Sequence, residues 1–178
     1  MRWTRIFKQR EPSFAVSASV PERDFVADHV ECPFAVAVRP VPARALAVAG
    51  NVLVRTVHAS RMRTRRAAFL ELSRVFDFPV GCGDNDDALI DLMSDLEWLG
   101  EYRGYLTYIG DAAQLLADEP DQLGEWLTAL SYAQERWNDN AAPVIVGGWA
   151  PRFRIIAVDT APLSTTWSAL GPAVALER

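Results

Sequence analysis

Asp87, Asp91 and Asp95 recur every four residues in the segment Gly83-Asp84-Asn85-Asp86-Asp87-Ala88-Leu89-Ile90-Asp91-Leu92-Met93-Ser94-Asp95-Leu96. On a helix that spacing sets Asp87 and Asp95 about 40° either side of Asp91, on one face. Like charges four apart destabilise a helix by roughly a few tenths of a kcal/mol per pair. The helix dipole favours acids only in the first turn, which Asp91 and Asp95 lie beyond. A stripe kept at that cost suits recognition of cations. Magnesium takes one or two carboxylates and keeps most of its water, but nothing else in the sequence supports a metal site. No metal and no cofactor are expected.

Other constellations lead nowhere chemical. Gly81-x-Gly83 ahead of a helix has the form of a phosphate turn, yet Asp84, Asp86 and Asp87 would repel the phosphate and a third glycine is missing. Asp84-x-Asp86-x-Ala88 starts like a calcium loop, but Leu89 stands where the turn glycine belongs and no glutamate closes it. His29-x-x-Cys32 offers two ligands where a structural zinc needs four. His58 and Cys82 would act as base and nucleophile only if the fold joined them; a small, partly buried cysteine is the simpler reading. Carboxylate pairs for glycoside hydrolysis come from separate elements around a cleft, unlike three on one helix. No catalytic constellation emerges, and an enzyme is not expected.

The bland reading of the stripe is a solvated helix face. Solvated faces usually interleave the two signs, and this segment carries no Lys or Arg. Its surroundings are equally one-sided. Residues 1–76 hold 13 basic and 6 acidic groups, whereas residues 77–139 hold only Arg103 and Arg136 against 15 acids. Such a field repels nucleic acid and steers a basic partner. No direct nucleic-acid binding is expected through this region.

With 178 residues, half of them hydrophobic and six of them Trp, the chain suits a packed domain that buries about 70% of its unfolded surface. Cys32 and Cys82 are too few for a disulfide framework, so reduced thiols are the default. The charged N-terminus and the short apolar run 14–20, interrupted by Ser17 and Ser19, make a poor signal peptide. No segment approaches the ~20 apolar residues of a membrane span. Cytoplasmic residence, without membrane association, is the working expectation.

The elements that must hold the stripe follow from periodicity. Residues 1–50 form an N-terminal extension of short strands broken by prolines, best at 34–38 and 45–48, with a helical turn around 22–30. Residues 52–57 are β-branched and suit a strand. A helix over 64–76 follows, with Thr64 as N-cap, Pro79 as stop, and Ala67, Ala68, Leu70, Leu72, Val75 and Phe76 on its apolar face. The acidic helix is expected over 85–99, burying Leu89, Leu92, Met93 and Leu96, with Ser94 and Trp98 on the exposed face. Residues 105–109 read as a strand, 111–117 as a short helix, and 120–138 as a longer helix opened by Pro120. Residues 143–146 make a third strand and 153–158 a last one. This alternation predicts an α/β fold with a parallel sheet, in a domain over 51–148 followed by a C-terminal extension over 149–178.

Phe78-Pro79 followed by Gly83-Asp84-Asn85-Asp86-Asp87-Ala88-Leu89-Ile90-Asp91 resembles the barstar family of ribonuclease inhibitors, whose pattern is Phe/Leu-Pro, two aromatics, then Gly-x-Asn-x-Asp-Ala-Leu-x-Asp. Leu96-x-Trp98-Leu99, the strand at 105–109, Leu115-Leu116, Ala133 with Trp137, and Pro143-Val144-Ile145-Val146 fall in the family's order. The resemblance covers residues 52–147. It implies a small three-stranded parallel sheet packed with helices, to which the flanking segments would add strands.

It also implies that the acidic helix and its leading loop plug the basic active site of a secreted, guanyl-preferring ribonuclease or nuclease toxin. Their carboxylates would stand where RNA phosphates bind. By position, Asp91 takes the central contact and Asp87 the flanking one, with Asn85 and Asp86 in the leading loop and Ser94 and Asp95 at the far rim. The chain departs from the family at Gly81 and Cys82, where aromatics are usual, at Ile90 in place of a tryptophan, and at Tyr132 in place of the prototype's glutamate. The resulting expectation is a non-enzymatic inhibitor or immunity protein. The alternative is a scaffold of the same fold used as a regulatory or assembly module, its flanking strands extending the sheet or pairing two chains into a homodimer.

Overall fold

The computed structural model describes residues 34–38, 52–100, 102, 104–140 and 152–160. Among the described residues there are four strands: β1 (Phe34–Val38), β2 (Val52–His58), β3 (Gly104–Gly110) and β4 (Arg152–Asp159). They form one sheet in the order β1-β4-β3-β2, and every neighbouring pair is parallel. Three helices accompany it: α1 (Arg65–Val75), α2 (Asp86–Asp95) and α3 (Leu123–Asn140). The expected parallel α/β sheet is therefore observed. β4 realises the strand expected over 153–158, and β1 the one expected over 34–38. The strands expected at 45–48 and 143–146 and the turn at 22–30 lie outside the described residues.

The sheet register sorts its side chains. Leu53, Tyr105 and Phe153 align across β2, β3 and β4, as do Val57, Ile109 and Ala157, and all six join the core beneath the helices. Met62, Phe76, Leu89, Met93, Leu116 and Trp126 fill that layer with at most 1% of their surface exposed. Each large side chain so buried stabilises the fold by about 1.5–3 kcal/mol relative to exposure. Leu106, Tyr108, Ile156 and Val158, on the alternate positions, are also buried. Both faces of β3 and β4 are thus withdrawn from solvent, as parallel strands require.

α1 starts where expected, with Thr64 Oγ1 accepting from the Ala67 N–H. It ends before Pro79 is reached. Asp77 takes a left-handed conformation (φ 52°) and the Phe78 N–H bonds to the Ser73 carbonyl at 3.0 Å, closing the last turn. Leu70 is corrected from the buried face to the outer one, 58% exposed, because 100° of rotation from Phe69 carries it away from the sheet. Glu71 is buried instead.

α2 is shorter than expected. It stops at Asp95 rather than running to 99, because Leu96 adopts the left-handed region (φ 51°) with its side chain fully buried. A 3-10 turn over Glu97–Leu99 follows and ends at Gly100, whose φ of 101° suits glycine alone. The segment expected as a helix over 111–117 is a single 3-10 turn, Ala112–Gln114, and another at Pro120–Gln122 leads into α3.

Candidate functional site

The leading loop and first turn of α2 are built by local chemistry. Gly83 is favoured by close approach, since a Cβ there would lie 3.2 Å from the Ala88 Cβ. Asn85 is the N-cap: its Oδ1 accepts from the Ala88 N–H at 2.9 Å. Asp86 and Asp87 occupy the first turn, where the dipole favours negative charge. Leu89 and Met93 are completely buried on the opposite side and fix the rotation of the helix. Leu92, expected in the core, is only half-buried at its edge.

That rotation leaves Asp87, Asp91 and Asp95 exposed. The stripe expected from the spacing is therefore present as a surface. Asn85 is exposed beside it. Ile90 is half-buried against the core, and Ser94 is half-buried with its hydroxyl donating to the Ile90 carbonyl. Trp98 is corrected from the exposed face: it lies beyond the end of α2, donates from Nε1 to the Phe76 carbonyl at 2.8 Å, and meets the Phe78 ring edge-on at 5.9 Å.

The stripe is less bare of cations than its own sequence indicates. Arg136, from α3, pairs with Asp91 through Nη1 and Oδ1, the two side chains being 49% and 70% exposed. Arg65, at the start of α1, pairs with Asp86 and also lies 3.7 Å from Glu125, while its backbone N–H donates to Glu119 at 2.7 Å. Asp86 is thereby turned partly inward, and its Oδ1 is buried with no hydrogen-bond partner among the described residues. Arg66 stands 3.7 Å from Asp84 with both groups exposed, a pairing worth about 0–1 kcal/mol. Among the described residues, Asp87 has no ion pair, and Asp95 accepts only a 3.3 Å hydrogen bond from the Glu97 N–H.

Sequence reasoning missed Arg136 and Arg65 as members of this face. A signal existed for Arg136, one of two cations among residues 77–139. One turn before it on α3, Tyr132 is 40% exposed and falls on the same side of the helix. Below the far end of the stripe, Trp137 donates from Nε1 to the Met93 carbonyl at 2.8 Å and stacks near Tyr105, 5.1 Å between centroids. Burial, with lesser contributions from Tyr102 and Asp95, pushes the Tyr105 phenol up to about 12. It remains a neutral donor, bonded to the Gly100 carbonyl at 3.0 Å.

Among the described residues no three His, Cys, Asp or Glu side chains are grouped to hold a metal, and none of their helices is long and apolar enough to cross a membrane. Cys82 is a half-buried free thiol packed against the core. His58 is exposed at the end of β2, close enough to Glu71 to act on its charge. What the α2 face can do is present fixed negative charge at one-turn intervals to a cationic surface.

A search of curated proteins finds no match to the chain. The family described as Barstar (barnase inhibitor) matches residues 52–147, more than half the chain, from the start of β2 through all three helices. The matched stretch contains the whole acidic face and both of its arginines, and with the parallel sheet it shows that the chain belongs to the barstar family.

Proposed function

We propose that the protein inhibits a basic ribonuclease by laying α2 and its leading loop into the enzyme's active site. Asp87, Asp91 and Asp95 then stand in for RNA phosphates. The observation that carries this reading is the rotation of α2, which buries Leu89 and Met93 and leaves the three aspartates facing solvent at one-turn spacing. Family membership supplies the class of partner. Asp91, at the centre of the stripe, takes the principal Arg, Lys or His of the nuclease, with Asp87 flanking it. Asn85 at the N-cap and Asp86 in the first turn border the leading loop, and Ile90, Ser94 and Asp95 form the rim. No bond is made or broken in this activity, which protects a producing cell from its own secreted nuclease and places the inhibitor in the cytoplasm.

The test is binding to a catalytically silent basic ribonuclease, with barnase as the first probe. Removing one partner of a buried interfacial charge pair costs about 2–5 kcal/mol, a range established in part on barnase with barstar. Asp91→Ala is therefore expected to weaken the complex at least about thirtyfold, and association is expected to slow as salt rises. Unchanged affinity in Asp91→Ala, or an association rate indifferent to salt, refutes the assignment.

A further inference from the structure

The central aspartate of the stripe is already occupied. Asp91 is held by Arg136 from α3, whereas Asp87 and Asp95, one turn away on either side, carry no ion pair among the described residues. Arg136 is 49% exposed at its side chain, has no other hydrogen-bond acceptor among the described residues, and is one of only two cations among residues 77–139. An exposed pair of this kind contributes little to stability. Its consequence lies in recognition, because any cation that approaches Asp91 meets a guanidinium first.

We propose that Arg136 is an internal competitor for Asp91 and so a determinant of which cationic partners the α2 face accepts. The inference rests on the reading of α2 as a cation-binding face. A partner must either displace Arg136 from the carboxylate or bind beside it. Displacement is open to Arg136 because Asp87 and Asp95 lie about one helical turn from Asp91 on the same stripe. A guanidinium partner, able to make two parallel hydrogen bonds to the freed carboxylate, competes better than an ammonium, which is a point charge. The stripe thus favours arginine-bearing surfaces over lysine-bearing ones, and favours partners that engage Asp87 and Asp91 together over those that reach Asp91 alone.

The experiment uses the full chain and two probes without carboxylates, hexa-arginine amide and hexa-lysine amide, titrated at low ionic strength. Arg136→Gln is expected to bind hexa-lysine about threefold more tightly, from removal of one unit charge about 7 Å from the incoming cation in water. Its gain for hexa-arginine is expected to be smaller, narrowing the discrimination between the two peptides. Arg61→Gln, which makes the same change in net charge at a residue paired with Glu71, is the control and should leave that discrimination unchanged. Equal effects of Arg136→Gln and Arg61→Gln, or no effect of Arg136→Gln, overturn the inference. Failure of barnase to bind while the peptide result holds overturns the ribonuclease reading alone.

Discussion

Replacing Leu96 by alanine and by glycine tests why the acidic helix ends where it does. Leu96 is fully buried, so truncation to alanine leaves a cavity in the layer shared with Leu89 and Met93. Such truncations cost about 2–5 kcal/mol. Leu96→Gly removes one carbon more but also relieves the left-handed backbone (φ 51°, ψ 17°), which disfavours a residue bearing a Cβ by about 1–2 kcal/mol. The greater freedom of glycine in the unfolded chain offsets about 0.4–1 kcal/mol of that relief. The lost carbon costs about 0.8 kcal/mol more, so the net expectation is glycine and alanine variants of nearly equal stability, within about 1 kcal/mol, or roughly 4 °C in Tm for a chain of this size. Inside a helix there is no such relief, and the alanine variant would be better by about 1 kcal/mol from the backbone alone and by about 2 kcal/mol with the carbon. Urea denaturation followed by circular dichroism, with thermal melts in parallel, reads the difference. If Leu96→Gly is less stable than Leu96→Ala by about 2 kcal/mol, as inside a helix, the left-handed cap is not what terminates α2.

Two further outcomes follow from buried features. Glu71 is 6% exposed and accepts two hydrogen bonds from Arg74, at 2.7 and 2.9 Å; that bonding holds its carboxyl below the usual range, with Arg61 and His58 assisting. A depressed folded pKa contributes stability above the unfolded value of about 4.3 and loses it as pH falls through the folded value. Glu71→Gln is therefore expected to cost about 1–2 kcal/mol at pH 7, discounted because Arg74 is 57% exposed. In urea melts the gap from wild type should close as pH falls below about 4, and a gap independent of pH would refute the ion-pair account. Truncation after residue 147, the end of the family match, removes β4 with Phe153, Ile155 and Ile156, all buried to 2% or less. At about 2–5 kcal/mol for each such side chain this exceeds a typical domain stability of 5–15 kcal/mol once backbone pairing is included, so the truncated chain should lack a cooperative melt.

What the sequence made legible was local. The order of strands and helices, the Thr64 cap and the outward stripe all follow from periods of two and 3.6 and from side chains reaching three residues along the chain. The failures are tertiary. Leucine is a good helix former, so nothing in residues 92–99 announces that Leu96 will be drawn into the core and turn the backbone left-handed. Proline at 79 looked like the stop for α1, yet Asp77 and the Phe78 to Ser73 bond end it earlier. The Asp91 to Arg136 pair joins two helices through residues 45 apart in sequence. No window of periodicity reaches that far, and the charge asymmetry of residues 77–139 singles out Arg136 as one of two cations without saying which of the 15 acids it meets.

The place of β4 has a consequence for how the molecule comes into being. β4 is the last described strand in the chain but lies inside the sheet, paired with β1 on one side and β3 on the other. Phe34 aligns with Ile155, across most of the sequence. During synthesis, β1 and the β2-β3 pair must wait apart, each with an open edge, until the strand between them arrives. Pairings of such long separation form slowly and leave unpaired edges to associate wrongly. A nascent chain thus holds its acidic segment before it has the sheet that orients it, and newly made protein is the population in which a chaperone or a partner would matter most.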